Sequence, residues 1–400
     1  MKILMLGWEY PPYISGGLGT ACYILTKGLS KNGIDVTFVI PYADNEKAEF
    51  VKLLGMENVK NFNIKIVNSI LEPYMSSEDY KKKFSKINGI SLYGNNLYHE
   101  VYRFSLAVLD IASKEDFDII HCHDWITYPA GINLKHLTGK PLILHIHNTV
   151  FDRGSLNPVK YEYDIEKAGF ENADKIIAIS HRIKETLVNE FKINEEKVSV
   201  IHWGVDHENK EYYQKEPEKF SNEKIVLFVG RITMQKGVDY LIEAAKKVIA
   251  IENNVRFIIV GSGDMLPQLI DKTIEYGINH KVNFTGWFSP KEVFKAFKLA
   301  DLFVMPSVSE PFGLVALESL KNGTPALISK QSGVSEILKN CLKVDFWNTN
   351  DMADKILNIL RYKSLHNELQ YNGNLEVEKM DIFESAEKTI DIYKEVIGDG

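Results

Sequence analysis

At 400 residues, with 45% hydrophobic and 25% charged side chains, the chain has an ordinary globular balance, and at roughly 150 residues per domain it has room for two or three domains. Disordered and fibrous classes are excluded. Lysine plus arginine numbers 47 against 54 aspartate plus glutamate, a formal net charge of -7. Neither half is basic: residues 1–200 carry 23 basic and 25 acidic side chains, residues 201–400 carry 24 and 29. This argues against a nucleic-acid surface, because a phosphate backbone demands clustered cations.

In chain order, the strand-like runs of the first half are Lys2–Gly7, Asp35–Pro41, Ile64–Asn68, Asp118–His123, Pro141–His147, Lys175–Ser180 and Val198–Val205. Those of the second half are Lys224–Gly230, Val255–Gly261, Val282–Gly286, Leu302–Pro306 and Pro325–Ser329. All are rich in Ile, Val, Leu and Phe with little polar alternation, the pattern of parallel strands buried on both faces. Amphipathic stretches such as Val238–Ile251 and Met265–Tyr276 separate them. The βαβαβ pattern occurs twice, which predicts an α/β chain of two doubly wound domains. The polar stretch Asp206–Asn222 predicts the boundary, with an N-terminal domain over 1–205 and a C-terminal domain over 206–379. The basic run Lys81-Lys82-Lys83 reads more simply as a solvated face than as a binding patch.

Three scattered cysteines (Cys22, Cys122, Cys341) indicate neither a disulfide framework nor a zinc knuckle and fit a reducing cytoplasm. The apolar run Ile3 to Leu6 is followed too soon by Glu9 and Pro11-Pro12 for a secretory leader, and no apolar stretch is long enough to span a membrane. The expected location is cytoplasmic, with no transmembrane segment.

In open α/β sheets, ligands bind beyond the carboxyl ends of the strands. The first strand ends in Gly7-Trp8-Glu9-Tyr10-Pro11-Pro12, followed by Ser15-Gly16-Gly17-Leu18-Gly19 and then a helical stretch. Glycines before a helix N-terminus let backbone amides approach an anion; a plain tight turn explains them equally well. The strand at 118–122 ends in His121-Cys122-His123-Asp124-Trp125, with His121 and His123 on one face and Cys122 on the other. Satisfied core histidines are the simpler reading of that pair alone. A metal reading with His145 and His147 lacks a recognisable ligand spacing and is set aside, so no metal is expected.

In the second half, Gly230-Arg231 and Gln235-Lys236-Gly237 place two cations at a strand–helix junction, which suits a diphosphate: arginine forks onto phosphate oxygens and lysine adds a point charge. Gly261-Ser262-Gly263-Asp264 is a glycine-rich turn that could approach a ligand, or Asp264 could simply cap the next helix. In Pro306-Ser307-Val308-Ser309-Glu310-Pro311-Phe312-Gly313-Leu314-Val315-Ala316-Leu317-Glu318, two carboxylates stand eight residues apart, Glu310 in a loop and Glu318 in the following helix. Together with Arg231 and Lys236 they make a plausible set for a sugar nucleotide.

On these segments (Gly16 to Gly19, His121 to Trp125, Gly230-Arg231-Ile232 with Gln235-Lys236-Gly237, and Glu310 to Glu318) the chain resembles the retaining GT-B glycosyltransferases of family 4, close to glycogen and starch synthases. The signals follow the family's order over nearly the whole chain. The resemblance implies two Rossmann-like domains facing a central cleft, with a last helix, about 380–400, returning to the N-terminal domain. It implies that Arg231 and Lys236 hold the donor diphosphate, Glu310 meets the transferred sugar and Glu318 binds the ribose. Backbone amides of Phe312, Gly313, Leu314 and Val315 would cap phosphate and hexose. Gly16, Gly17 and Gly261 would approach the donor, and His123 would line its sugar. Glu9, Tyr10, Asp124 and Trp125 are the acceptor-side candidates. No cofactor and no metal are implied; the nucleotide-sugar is a substrate.

The chain departs from glycogen synthases at Ser15, where they usually carry lysine, and at Trp203, where the family usually has asparagine before the glycine. The subgroup likeness of Trp8 to Pro12 and His123-Asp124-Trp125 points to glucose transfer from ADP- or UDP-glucose to an α-1,4-glucan. The alternatives are a lipid or cell-surface saccharide acceptor, a sugar-nucleotide epimerase, and a non-catalytic sugar-nucleotide or glucan-binding protein.

Overall fold

The structure is a computed structural model that describes residues 1–10, 17–41, 62–67, 69, 71, 77–84, 96–153, 158–207 and 222–398. Gly16, Ser15, Pro11-Pro12 and most of the Asp206–Asn222 stretch lie outside the described residues. The chain divides into two compact units, Met1–Trp203 with Ile382–Gly400, and Gly204–Asp381.

The first unit is built on seven parallel strands: β1 (Lys2–Leu6), β2 (Asp35–Ile40), β3 (Phe62–Ile66), β4 (Ile119–His123), β5 (Leu142–Ile146), β6 (Lys175–Ala178) and β7 (Val198–Val200). Their order is β3-β2-β1-β4-β5-β6-β7. Every residue of β4 and β5 is buried, as strands covered by helices on both faces must be. Close helix approach uses small residues. A β-carbon at Gly28, in helix Gly17–Lys31, would lie 2.6 Å from the Ala386 β-carbon in helix Ile382–Ile397. The last helix is tied again where the Tyr393 hydroxyl meets His121 Nδ1 at 2.5 Å. The Asp116-Phe117-Asp118 segment ties the N-terminal ends of β1 and β4: Lys2 Nζ pairs with Asp116 and the Lys2 amide donates to Asp118, each at 2.7 Å.

The second unit has six parallel strands: β8 (Lys224–Val229), β9 (Val255–Val260), β10 (Val282–Gly286), β11 (Leu302–Met305), β12 (Ala326–Ser329) and β13 (Leu342–Val344), ordered β10-β9-β8-β11-β12-β13. β13 has three residues and no apolar run, so its sequence did not announce it. The expected run Val198–Val205 shortens to Val198–Val200, since its remainder leaves the sheet. Val226, Phe228, Leu241, Phe257, Val304 and Ile356 form part of the core between sheet and helices. In each sheet the strand order reverses once, between β1 and β4 and between β8 and β11. At such a reversal adjacent loops leave in opposite directions and open a crevice at the carboxyl ends.

The Gly28 crossing carries an expectation. Gly28→Ala forces the last helix outward and is expected to cost about 1–3 kcal/mol, the usual scale of overpacking. An unchanged urea midpoint would show that the helix gives way freely.

Candidate active site

At the reversal in the second unit, β8 runs into Gly230-Arg231, and a short turn, Met234–Lys236, precedes helix Val238–Ile251. That turn leans on the loop after β11. Val308 N donates to Gln235 O at 2.9 Å, and Gly237, at φ 63°, is so close to Pro306 O that a β-carbon there would collide with it. Only glycine satisfies both the left-handed backbone and the contact. The approach carries Lys236 to Glu310, with Nζ and Oε2 2.7 Å apart. Their side chains are 19% and 9% exposed, so the pair is largely withdrawn from water. Ser307 Oγ donates to the same Glu310 oxygen at 3.0 Å. The Glu310 backbone is pinned as well: its amide donates to Gln331 O at 3.0 Å and its carbonyl accepts from Gly333 N at 2.9 Å. Arg231 Nη2 donates to Gln235 Oε1 at 3.3 Å.

The helix after this loop, Leu314–Lys321, begins at Gly313 with φ 110°, and no side chain caps it. The first amides of a helix lack internal acceptors and favour an anion, so the Leu314 and Val315 amides are placed for one. Phe312 is buried and its carbonyl accepts from Val334 N at 2.7 Å, which sets the loop's shape. Glu318 is half-buried on this helix, and burial raises its carboxyl above the ordinary range. Gly261 has an internal reason to be glycine: at φ 137° it lies against Gly230 O, where a β-carbon would clash. It shapes the Arg231 loop. Asp264 does not cap the following helix, which starts at Leu266 after Met265.

At the reversal in the first unit, helix Gly17–Lys31 opens at Gly17, where a β-carbon would meet nothing within 4 Å. Among the described residues, no packing demands glycine there. Four imidazoles line one face of β4 and β5. His121 and His123 stack at 4.6 Å between centroids, and His145 and His147 at 4.7 Å. Trp203 lies over His145 at 5.1 Å with 3° between planes. The departure at Trp203 thus has a physical partner. His123 Nδ1 and His147 Nε2 are 2.9 Å apart, sharing one proton. Burial lowers the pKa of all four, that of His123 to about 3, so the layer is neutral.

The acceptor-side candidates are all buried. Tyr10 is fully buried, its hydroxyl 2.8 Å from Thr26 Oγ1. Trp125 is buried edge-on to Trp8 at 6.3 Å, with the Arg153 guanidinium 5.8 Å from its ring. Asp124 is buried in the left-handed region at φ 59°, where its Oδ1 accepts the His147 amide at 2.8 Å. Burial raises its carboxyl to about 7. Glu9 is buried too. These side chains are interior and pack within their loops.

Several neighbours were not singled out from the sequence. Ser307, inside the quoted segment, positions Glu310. Arg153, buried with Glu166 at 2.6 Å and Glu162 at 3.0 Å, supports the Asp124–Trp125 turn. Cys22, His123 and His147 each bring a ligand-type atom within 4.8 Å of the others, as do His121, His123 and His145. Spacing could not show this, because Cys22 arrives from a different βα unit. The rings stack with planes 14–31° apart, an arrangement for packing neutral imidazoles. A tetrahedral ion needs lone pairs that converge.

The model of the Glycosyl transferases group 1 matches residues 209–376, and that of Glycosyltransferase Family 4 matches residues 15–209. An uncharacterised glycosyltransferase of Methanocaldococcus jannaschii is 33% identical, the match covering 98% of each chain. The chain belongs to the group 1 glycosyltransferases. A glycogen synthase of Clostridium botulinum is 25% identical over 99% of each chain. The structure of sucrose-phosphate synthase from Thermosynechococcus elongatus superposes with a TM-score of 0.79 at 20% identity, covering 100% of both chains. This glycosyltransferase therefore has the GT-B fold. Among the described residues, no helix is long and apolar enough to cross a membrane.

The histidine layer of this glycosyltransferase predicts a pH response. His145 has both ring nitrogens buried without a hydrogen-bond partner among the described residues. Burial holds its pKa well below 6.5. The unfolded chain therefore binds the proton more readily, and stability present above pH 6.5 is lost as pH falls, by about 1.4 kcal/mol per pH unit for each such histidine. His145→Phe keeps the stacking on Trp203 and removes two unsatisfied atoms. It is expected to be neutral or stabilising at pH 7.5 and to flatten the urea-midpoint profile between pH 6.5 and 5. A variant as acid-sensitive as the parent would refute this.

Proposed function

We propose that this glycosyltransferase is a retaining hexosyltransferase that moves glucose from ADP- or UDP-glucose to an α-1,4-glucan. The observation that carries the reading is the Lys236–Glu310–Ser307 cluster with Arg231 beside it, at the strand-order reversal of the second unit. It joins a cation for phosphate to a fixed carboxylate for hydroxyls, which suits the two ends of a sugar–diphosphate. The low but nearly full-length identity to a glycogen synthase supports the glucan acceptor.

In this reading the bond between the anomeric carbon and the diphosphate oxygen breaks, placing positive charge on the ring and negative charge on the diphosphate. Arg231, Lys236 and the Leu314 and Val315 amides meet the negative charge. Such preorganised donors are each worth about a hundredfold to a thousandfold in rate. Glu310, held by Ser307, accepts from sugar hydroxyls, and Glu318 accepts from the ribose. The acceptor oxygen bonds to the anomeric carbon on the face the diphosphate leaves, and its proton passes to a diphosphate oxygen, which retains configuration. His123, neutral over the working pH range, contributes a hydrogen bond to the sugar and no charge. Arg231 and Lys236 perform the charge neutralisation that a metal ion performs elsewhere.

The test is a transfer assay with ADP-glucose, UDP-glucose, UDP-N-acetylglucosamine and GDP-mannose, each with and without a malto-oligosaccharide. Glucan lengthening from a glucose donor is expected. Donor isomerised without acceptor would mean an epimerase, and consumption only with a lipid-linked saccharide would replace the glucan acceptor. Lys236→Ala and Glu310→Ala are each expected to slow transfer about a hundredfold or more, as losing an oxyanion-type donor or its positioning partner does. Full activity in both folded variants would sink the site assignment.

A further inference from the structure

A groove lies on the second unit, at the C-terminal end of the helix that follows the Glu310 loop. Helix Leu314–Lys321 spans eight residues and is about 12 Å long from end to end. It ends in Asn322 and Gly323, the latter at φ 76°. Helix Lys363–Val377 crosses it closely at Gly373, where a β-carbon would stand 2.7 Å from Leu320 Cδ2 and 3.1 Å from Asn340 O. The crossing leaves a groove of about 290 Å³ between the helix end and the residues on either side of Gly373.

Three side-chain amides line this groove, and all three have their nitrogens committed. Asn322 Nδ2 donates to Glu318 O at 2.8 Å and Gln370 Nε2 to Gly323 O at 2.7 Å. Asn374 Nδ2 donates to Leu320 O at 3.2 Å and Lys321 O at 3.0 Å. Those bonds satisfy carbonyls that a helix end leaves open. They explain the nitrogens but not the oxygens: among the described residues none of the three amide oxygens receives a hydrogen bond, and Asn322 Oδ1 is buried in that condition. Beside them Tyr371 holds its ring 67% exposed, and Lys298 lines the rim.

This lining selects its ligand. Fixed carbonyl oxygens call for donors, while Lys298 and Lys321, also in the lining, call for acceptors; a hydroxyl answers both, whereas a phosphate or carboxylate meets the lysines and leaves the amide oxygens unmet. An open aromatic face beside them offers a platform for the C–H face of a sugar ring. The volume is near the lower limit of small-molecule pockets, the size of one or two hexose rings. We infer that the groove formed by Asn322, Gln370, Tyr371 and Asn374 binds one or two residues of a neutral oligosaccharide. It anchors a sugar chain on the second unit, away from the donor loop. The inference needs no transfer reaction, only a neutral sugar chain.

The experiment titrates the full-length chain with maltoheptaose, cellopentaose and a manno-oligosaccharide by isothermal calorimetry. Tyr371→Ala and Gln370→Ala are titrated alongside, with thermal midpoints recorded. Both positions are exposed, so both variants are expected to fold as the parent does. Millimolar binding of at least one sugar is expected, weakened about tenfold by Tyr371→Ala, the scale of losing one stacked ring. No binding of any of the three, or equal binding by parent and both variants, overturns the groove. Transfer to maltotriose without Tyr371-dependent binding would remove the groove and leave the proposed reaction standing. Tyr371-dependent binding without transfer to any glucan would keep the groove and remove the glucan acceptor.

Discussion

The Lys236–Glu310 cluster of this glycosyltransferase depends on one close backbone approach, between the Gln235–Gly237 turn and the loop leaving β11. The carbonyl of Pro306 occupies the space where a side chain at 237 would stand, and the Val308 amide closes the contact on Gln235. Two loops from separate βα units become one surface, and Lys236 can lie against Glu310. The loop after β9 is fitted to the loop after β8 in the same way, Gly261 against Gly230, with Ile232 N donating to Ser262 O at 2.8 Å. Glycine in these turns serves loop-to-loop packing. A charged pair held this way loses little freedom on meeting a substrate, because its geometry is already set.

The first unit applies a different constraint. A layer of four imidazoles and an indole sits on a fully buried pair of strands, and burial keeps it uncharged. The Asp124 backbone is bent into the left-handed region and held there by the His147 amide. Strain of this kind at a strand end persists only where the surroundings over-determine it. Arg153, Glu166 and Trp125 supply those surroundings. The His-x-His-Asp-Trp segment, buried throughout, sets the shape of the β4 loop.

Much of the fold was legible in the sequence because buried parallel strands must be apolar on both faces, and helices between them must be amphipathic. Val238–Ile251 reads as a helix from period alone, and the structure has a helix over those residues. The short β13 was not legible, because three edge residues carry no period. The pairing of charged residues in the donor loop was partly legible: Arg231, Lys236, Glu310 and Glu318 stand out as polar groups after apolar strands. The twice-repeated βαβ pattern, and the polar loops that follow its apolar strands, can be read from residue order alone. Which of those loop side chains face outward depends on contacts between distant segments. Tyr10, Asp124 and Trp125 look like contact residues in a linear motif but are interior, because their loops fold back on hydroxyl, amide and aromatic partners far along the chain. Cys22 near His147, Trp203 over His145, and the amides of Asn322, Gln370 and Asn374 around one groove come from segments that no local spacing connects. Their meeting depends on packing between elements, and packing is a property of distances that sequence order does not contain.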